Sequence, residues 1–265
     1  MRIPLLVATD LDGTALRADG TVSPRTAAAF SRIEASGALL IFVTGRPPRW
    51  MADVVAAVEH RGLAVCANGA LVYDLHTEKI VKSVLIRPEI LDAVVRRLRR
   101  GMPELAFSVE YERGFAHGPG FDLGPWDSLS VADAGLDLAE LVARPCAKLL
   151  AQHPGMGPGT LHALVTELVG DLVTATYSGS RGLVEMSAHG VTKATALAQL
   201  AVEHGVDARD VVAFGDMPND LPMLMWAGTS YAVANAHPDV LAVVHHVTAA
   251  NNDDGVAQVL EKLYR

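Results

Sequence analysis

The sequence LLVATDLDGT, residues 5–14, decides the fold, because an apolar run stops abruptly at two aspartates, a glycine and a threonine. The run is too short for a helix and too uniformly apolar for a half-exposed strand, so it predicts a buried strand of a parallel sheet. Ligands bind beyond the carboxyl ends of such strands. Asp10 and Asp12 lie there, two residues apart, so an extended chain points both carboxylates the same way. Gly13 then lets the backbone turn away.

The closeness of Asp10 and Asp12 itself argues for a function. Two carboxylates about 4 Å apart repel by about 4 kcal/mol at an effective dielectric near 20. A helix cap or an Asx turn would explain one of these aspartates but not both. A bound cation, a shared proton or a reaction would explain the pair.

Composition excludes several classes of protein. The chain has 265 residues, of which 50% are hydrophobic, and a formal net charge of −8. This predicts a globular protein with no basic surface for nucleic acid. Its N-terminal apolar run meets Asp10 too soon for a signal peptide, and no apolar stretch reaches membrane-spanning length. Cys66 and Cys146 lie in apolar strand-like runs, as buried free thiols do. We expect a cytoplasmic protein without membrane partners, a monomer by default, with a dimer left open.

Strand-like and helix-like segments alternate along the chain, which predicts an α/β fold built of βαβ units around a parallel sheet. The pattern changes after residue 85, where strand, helix and strand recur without the repeated acidic strand ends of the first segment, and it resumes near residue 186. We therefore predict a discontinuous core domain at 1–85 and 186–265, with an α+β cap domain inserted at 86–185. In the core, the pattern predicts a helix from Pro47 to about residue 60 and a strand over 243–247.

Polar side chains follow three of the predicted core strands. Because the carboxyl ends of parallel strands share one rim of the sheet, these segments can converge there. Four acids at one rim require a cation, and an all-oxygen set without a Cys/His cluster suits Mg²⁺ better than zinc. The residues are Asp10 and Asp12, then Thr44, Gly45 and Arg46, then Asp216, Asn219 and Asp220.

A hydroxyl and a lysine indicate what the cation would accompany. Thr44, placed at a predicted helix start, offers its hydroxyl and a following backbone N–H to an anionic oxygen. Lys193, at a predicted helix start, adds a compact positive charge of the kind that binds phosphate. Cation, hydroxyl and lysine together describe a phosphoryl group. Asp10 can then attack phosphorus to form an aspartyl-phosphate, while Asp12 protonates the leaving oxygen and later deprotonates water.

Four motifs in order resemble those of the haloacid dehalogenase superfamily, and more narrowly its Cof-type phosphatases with an α/β cap. They are DLDGT at 10–14, VTGR at 43–46, the lysine of GVTKATAL at 190–197 and GDMPNDLPML at 215–224. The segments NGA at 68–70, VANAHP at 233–238 and NNDDGV at 251–256 resemble the same branch. The resemblance covers nearly all of the predicted core domain, whereas the insertion matches only in position and length.

The resemblance implies a Rossmann-like core with a cap and a Mg²⁺-dependent phosphomonoester hydrolase acting on small phosphorylated metabolites such as sugar phosphates. It implies that Asp10 is the nucleophile and a metal ligand, and that Asp12 is the general acid/base with its backbone carbonyl on the metal. The remaining implied roles are phosphate binding by Thr44, Gly45, Lys193 and Asn219, and metal binding or orientation of the metal shell by Asp216, Asp220 and Asn219.

The sequence leaves open the roles of three residues and the class of protein. Lys193 would be an ordinary solvated helix lysine in a plainer interpretation. Arg46 either contacts substrate or pairs with a nearby acid, and Asn68 is a turn residue, a hinge or a site residue. The protein itself could be a phosphomannomutase-like phosphotransferase or a non-catalytic sensor of a phosphorylated metabolite.

Overall fold

A computed structural model describes residues 3–58, 62–124, 136–179 and 182–265, together with the backbone of 132–134. The strands are β1 (Leu6–Thr9), β2 (Leu39–Val43), β3 (Leu63–Cys66), β4 (Leu71–Asp74), β5 (Lys79–Ser83), β6 (Ala106–Glu110), β7 (Phe115–His117), β8 (Ala132–Ala134), β9 (Lys148–Gln152), β10 (Val173–Thr176), β11 (Leu183–Ala188), β12 (Val211–Gly215), β13 (Thr229–Val233) and β14 (His246–Thr248). The α-helices are α1 (Pro24–Ala35), α2 (Ala52–Val58), α3 (Pro88–Gly101), α4 (Leu138–Val142), α5 (Pro158–Val169), α6 (Lys193–Glu203), α7 (Leu221–Trp226), α8 (Pro238–Leu241) and α9 (Gly255–Leu263).

The chain forms two compact units. The first contains Met1–Lys82 and Thr192–Arg265, and the second contains Ser83–Val191. The sequence-based division at 185/186 falls inside β11, which pairs with β9 and β10 of the second unit. The second unit therefore extends to the residue before Thr192.

An eight-stranded sheet forms the centre of the first unit, in the order β14-β13-β12-β1-β2-β3-β4-β5. The six strands from β14 to β3 run parallel, and β4 pairs antiparallel with β3. All four residues of β1 are buried, as expected for a central strand covered on both faces. Helix α1 begins at Pro24 behind the cap residue Ser23, whose hydroxyl accepts the Thr26 N–H at 3.0 Å. Because β1 pairs in parallel with both β2 and β12, the carboxyl ends of these three strands lie side by side.

Two predicted elements of the first unit differ from the structure. A 3₁₀ turn at Pro48–Trp50 precedes α2, because Pro47 stands before another proline and stays extended (φ −73°, ψ 159°). The predicted end of that helix near residue 60 lies outside the described residues. The strand predicted at 243–247 begins only at His246, because the backbone N–H groups of Val243 and Val244 still bond to Val240 O in a helical turn.

The second unit is a six-stranded sheet in the order β10-β11-β9-β6-β7-β8. Its strands pair antiparallel, except that β7 and β8 run parallel. Alternate side chains of β6, β9 and β11, such as Phe107, Leu149 and Met186, enter a buried core with apolar residues of α3, α4 and α5. One face of this sheet is therefore covered by helices. Within the described part of the chain, no helix combines the length and apolar character needed to cross a bilayer.

Candidate active site

Three carboxylates meet at the carboxyl ends of β1 and β12. Asp10 follows β1, Asp216 follows β12, and Asp220 ends the short 3₁₀ turn Pro218–Asp220. One carboxylate oxygen from each lies within 4.8 Å of the others, and their exposed fractions are 5%, 6% and 0%. Buried carboxylates this close need compensating positive charge.

Lys193 supplies part of that charge. It is the first residue of α6 and is 1% exposed. Its Nζ donates to Asp10 Oδ1 and to Asp220 Oδ1, each at 2.6 Å. Although burial alone lowers it, these two carboxylates raise the pKa of Lys193 above its usual range. The structure thus brings Lys193 to the acids, and the lysine is not solvated.

Burial and, to a smaller extent, neighbouring negative charge raise the pKa values of Asp10 and Asp216. Burial raises the pKa of Asp10 well above its usual range, the charge of Lys193 opposes this, and Asp220 and Asp216 add to it. Burial and the charge of Asp220 raise the pKa of Asp216 to about 7. Three ionised carboxylates and one lysine leave two negative charges, so the cluster retains a proton near neutral pH or takes up a cation.

Hydrogen bonds fix the orientation of the acids. Thr14 Oγ1 donates to Asp216 Oδ1 at 2.8 Å. Asp220 Oδ2 accepts the backbone N–H groups of Asp216 and Met217, each at 3.0 Å. Asp220 therefore uses one oxygen to hold the loop after β12 and the other to hold Lys193.

Gly13 allows the turn after Asp12 to approach Asp216. Its φ of +76° lies in the left-handed region that side chains avoid, and a Cβ there would lie 2.3 Å from Asp216 Oδ2. The Gly13 carbonyl accepts a hydrogen bond from Asn235 Nδ2 at 2.8 Å. Asn235 in turn accepts the Asn251 N–H at 2.9 Å.

Asp12 lies outside the three-carboxylate cluster. Its side chain is 59% exposed and is held by Arg46, whose Nε and Nη2 donate to its two oxygens at 2.7 and 2.5 Å. The sequence left open whether Arg46 contacts substrate or pairs with a nearby acid, and in the structure it pairs with Asp12. This bidentate pair fixes the plane of the Asp12 carboxylate.

The loop after β2 brings Thr44 and Gly45 to the same rim. Thr44 is buried, and its Oγ1 accepts the Arg46 N–H at 3.0 Å. The chain enters a helical turn only at Pro48, so Thr44 and Gly45 lie in a loop and not at a helix start.

Asn68 and Asn219 form a second buried contact beside the acids. Asn219 Nδ2 donates to Asn68 Oδ1 at 3.1 Å, while the buried Asn219 Oδ1 has no hydrogen-bond partner among the described residues. Asn68 has a left-handed φ of 56° and belongs to the turn Ala67–Gly69.

The sequence motifs assign no role to Thr14 or Asn235. Thr14 closes the first motif, four residues after Asp10, and Asn235 lies in the segment VANAHP. Both residues were visible as parts of motifs, but only the hydrogen bonds show what they hold in place.

Comparison with known proteins assigns the family. A model of the haloacid dehalogenase-like hydrolases matches residues 7–115 and 140–260. The putative phosphatase YxeH of Bacillus subtilis is 27% identical over 268 residues, covering 97% of each chain. The 5-amino-6-(5-phospho-D-ribitylamino)uracil phosphatase YitU of the same organism is 25% identical, covering 98% of each. The crystal structure of SMU.1108c from Streptococcus mutans superposes with a TM-score of 0.87 at 21% identity, covering 98% of each chain.

The chain belongs to the haloacid dehalogenase-like hydrolases. The predicted α/β fold class is confirmed, and so is the prediction of an enzyme that hydrolyses phosphomonoesters.

Proposed function

We propose that the protein is a Mg²⁺-dependent phosphatase of small phosphorylated metabolites, sugar phosphates among them, and that it works through an aspartyl-phosphate on Asp10. One observation carries this proposal. Asp10 is buried between Lys193 and two further carboxylates, and Asp12 lies two residues away with a largely exposed carboxylate.

The donor set at the rim suits Mg²⁺. Asp10, Asp216 and Asp220 offer only hard oxygen ligands, and two excess negative charges match one divalent cation. Gly13 leaves the space beside Asp216 free of a side chain. When bound there, Mg²⁺ would neutralise the acids and the phosphoryl oxygens, so that an anionic nucleophile can approach an anionic ester.

The first step is a displacement at phosphorus. A carboxylate oxygen of Asp10 forms a bond to phosphorus as the ester P–O bond breaks, and Asp12 in its protonated form gives its proton to the leaving alcohol oxygen. Lys193 Nζ holds the Asp10 carboxylate by donating to its Oδ1, and it adds positive charge beside the transferred group. Thr44, Gly45 and Asn219 would bind the phosphoryl oxygens.

The second step returns the enzyme to its starting state. Asp12, now ionised, takes a proton from water, whose oxygen bonds to phosphorus as the bond to Asp10 breaks. Inorganic phosphate leaves, and Asp10 is again a carboxylate. Arg46 is a positioning residue in the second step, because its two hydrogen bonds hold the ionised Asp12 carboxylate that takes the proton from water.

Substrate selection would belong to the second unit, acting as a cap. The relative YitU is named for a substrate whose phosphate is carried by a ribityl chain, which favours a phosphorylated sugar or sugar alcohol for this chain as well. The location of the protein in the cell is proposed to be the cytoplasm.

Phosphate release from a panel of phosphomonoesters tests the proposal, with Mg²⁺ or with EDTA, and with Asp10→Asn as the control. We expect release that needs both Mg²⁺ and Asp10. Isomerisation of a sugar phosphate in the presence of a bisphosphate, without phosphate release, would assign the protein to the phosphotransferases instead. Tight binding without turnover of any ester would assign it to the sensors.

A further inference from the structure

A three-residue turn, Ala67–Gly69, connects β3 to β4 beside the buried acids, and we call it the 67–69 turn. All of its residues have a left-handed backbone, with φ of 50° at Ala67, 56° at Asn68 and 105° at Gly69. Asparagine and glycine tolerate this conformation, whereas alanine is strained in it. Such strain persists only where the surrounding structure holds it, and it clusters at functional sites. The contacts of the turn therefore show what keeps it in this shape.

The backbone of the 67–69 turn holds the loop after β2. The Ala67 N–H donates to Arg46 O at 2.9 Å, and the Asn68 N–H donates to Thr44 O at 3.1 Å. Thr44 is proposed to bind a phosphoryl oxygen, and Arg46 holds the carboxylate of the proposed acid/base. The two hydrogen bonds therefore fix this loop relative to the turn.

The start of α6 lies against the same turn. A Cβ on Gly69 would lie 2.2 Å from the backbone oxygen of Thr192, the residue that caps α6. Helix α6 begins with Lys193, whose Nζ contacts Asp10 and Asp220. The close approach at Gly69 thus brings the turn to the end of the helix that presents this lysine.

The side chain of Asn68 makes a third contact. Its Oδ1 accepts a hydrogen bond from Asn219 Nδ2 at 3.1 Å, and the two residues are 2% and 6% exposed. The buried Oδ1 of Asn219 has no hydrogen-bond partner in the part of the chain that the structure describes. A buried amide oxygen without a donor is unfavourable, which indicates that a bound ligand or its water completes the hydrogen bonding of Asn219.

We propose that Asn68 is a positioning residue, which orients the Asn219 amide so that the amide binds the phosphoryl group of the substrate. That the ligand is a phosphoryl group rests on the proposed function. Asn68 Oδ1 takes one hydrogen of Asn219 Nδ2, so the second hydrogen is left for a phosphoryl oxygen and the amide oxygen for a donor such as water. Without this acceptor the Asn219 amide would lose the contact that fixes its plane. Asn68 therefore acts on phosphate affinity through Asn219.

A residue present only for its backbone conformation would behave differently. Asparagine is common in left-handed turns, and glycine adopts the same conformation without strain. Asn68→Gly therefore keeps the backbone of the turn and removes the acceptor. If the backbone were the whole role of Asn68, this variant would bind phosphate as the wild-type chain does.

Hydrogen exchange of the Asn219 side-chain amide tests the positioning in the full chain and needs no turnover. The chain has five asparagines, so ¹⁵N labelling of asparagine gives few side-chain signals, and Asn219→Ala identifies the relevant pair. We expect these protons to exchange about tenfold faster in Asn68→Gly, the size of one lost hydrogen bond. Asn68→Asp places a stronger, charged acceptor at the same position, so exchange there should be slower than in the wild-type chain. Glu78→Gly is the matched control, because Glu78 has a left-handed φ of 54° but is exposed in the turn between β4 and β5.

Steady-state kinetics connect the positioning to phosphate. With a phosphomonoester and Mg²⁺, Asn68→Gly should raise KM and the inhibition constant of inorganic phosphate about fivefold. The value of kcat should stay within about twofold, because the amide binds the phosphoryl group equally before and during the displacement. In the Asn219→Ala background, Asn68→Gly should have no further effect, as expected for residues that act as one unit.

Three results would overturn the positioning role and leave Asn68 as a turn residue. They are unchanged amide exchange in Asn68→Gly, an equal effect in Glu78→Gly, and a KM increase that adds in full to that of Asn219→Ala. If Asn68→Gly lowers Tm by more than about 5 °C, Asn68→Asp decides, and exchange that is not slowed in that variant overturns the role. A wild-type chain that releases no phosphate from any ester would refute the proposed function, while the exchange measurement still decides whether Asn68 positions Asn219.

Discussion

Each unit of the molecule buries one lysine among carboxylates, and the two lysines differ in how well their charge is balanced. Lys193 contacts Asp10 and Asp220 with Asp216 close by, so its cluster carries two excess negative charges. Lys148 contacts Glu185, with Glu110 as its cross-strand neighbour, so one lysine lies beside two carboxylates there. The larger excess of buried negative charge around Lys193 indicates a bound cation and charged chemistry.

Replacing Asp10 should have the largest effect, because it removes the proposed nucleophile and leaves the fold intact. We expect Asp10→Asn to lower kcat at least about 10⁴-fold, since the amide cannot form the aspartyl-phosphate. Steady-state phosphate release measures this, and the thermal melt should show no loss of stability. Asp239→Asn, on an exposed side chain, is the control. Full activity of Asp10→Asn would refute the mechanism.

Replacing each buried lysine in turn tests whether the surroundings of Lys193 and Lys148 differ in their need for a cation. We expect Lys193→Met to destabilise the metal-free protein by about 3 kcal/mol, because two buried carboxylates lose their partner. Saturating Mg²⁺ should restore part of that loss, since the cation replaces the missing positive charge. Lys148→Met, the matched control, should also destabilise the protein but gain nothing extra from Mg²⁺. Urea unfolding with and without Mg²⁺ measures both variants, and an equal response would mean that the comparison of the two lysines is wrong.

The raised pKa of Asp216, about 7, makes the stabilisation by Mg²⁺ depend on pH. Between roughly pH 4 and pH 7 the folded protein keeps a proton that the unfolded chain releases, so the metal-free protein loses stability as pH rises through this window. Protons compete with Mg²⁺ below pH 7. We expect the increase in Tm on adding Mg²⁺ to be about 5 °C larger at pH 8 than at pH 5.5. A Tm increase that does not vary with pH would contradict the assignment of the metal ligands.

The pair of Arg46 and Asp12 should give the smallest effect on stability. The Arg46 side chain is 18% exposed, but its partner Asp12 is 59% exposed and can be solvated after Arg46→Gln, so we expect a cost of about 1 kcal/mol in unfolding free energy. Because Arg46 orients the proposed acid/base, kcat should nevertheless fall about tenfold, with little change in KM. Arg96→Gln, which breaks an exposed pair with Asp92 on α3, is the control and should leave kcat unchanged. An increase in KM alone would instead indicate that Arg46 contacts substrate.

Sequence alone located the first cluster because parallel strands end at one rim. Asp10 and Asp216 follow strands that pair directly with each other, so their convergence follows from the topology. The bond from Thr14 to Asp216 and the capture of Asp12 by Arg46 depend on side-chain rotamers, which the sequence does not report. These contacts required the structure.

The arrangement of Ser108, Lys148 and Ser187 on one face of the second sheet could not be predicted in the same way. About 40 residues separate Ser108 from Lys148 and Lys148 from Ser187, and no motif marks them. Only strand order and register bring them to one face, and a shift of one residue would turn each of them toward the helices. Sequence patterns indicated the chemistry of the first unit and marked no functional residue in the second.

Gly13 shows how mutational tolerance can mislead a search for reactive groups. Its left-handed backbone and the 2.3 Å approach to Asp216 Oδ2 independently exclude a side chain. Gly20, with a similar φ of +81°, has nothing within 4 Å of the added Cβ and meets only the first restriction. In a saturation library, position 13 should be as depleted of variants as position 10, although Gly13 carries no reactive group. Depletion at a position therefore does not by itself identify a reactive residue, because a backbone that excludes every side chain depletes variants as strongly as lost chemistry does.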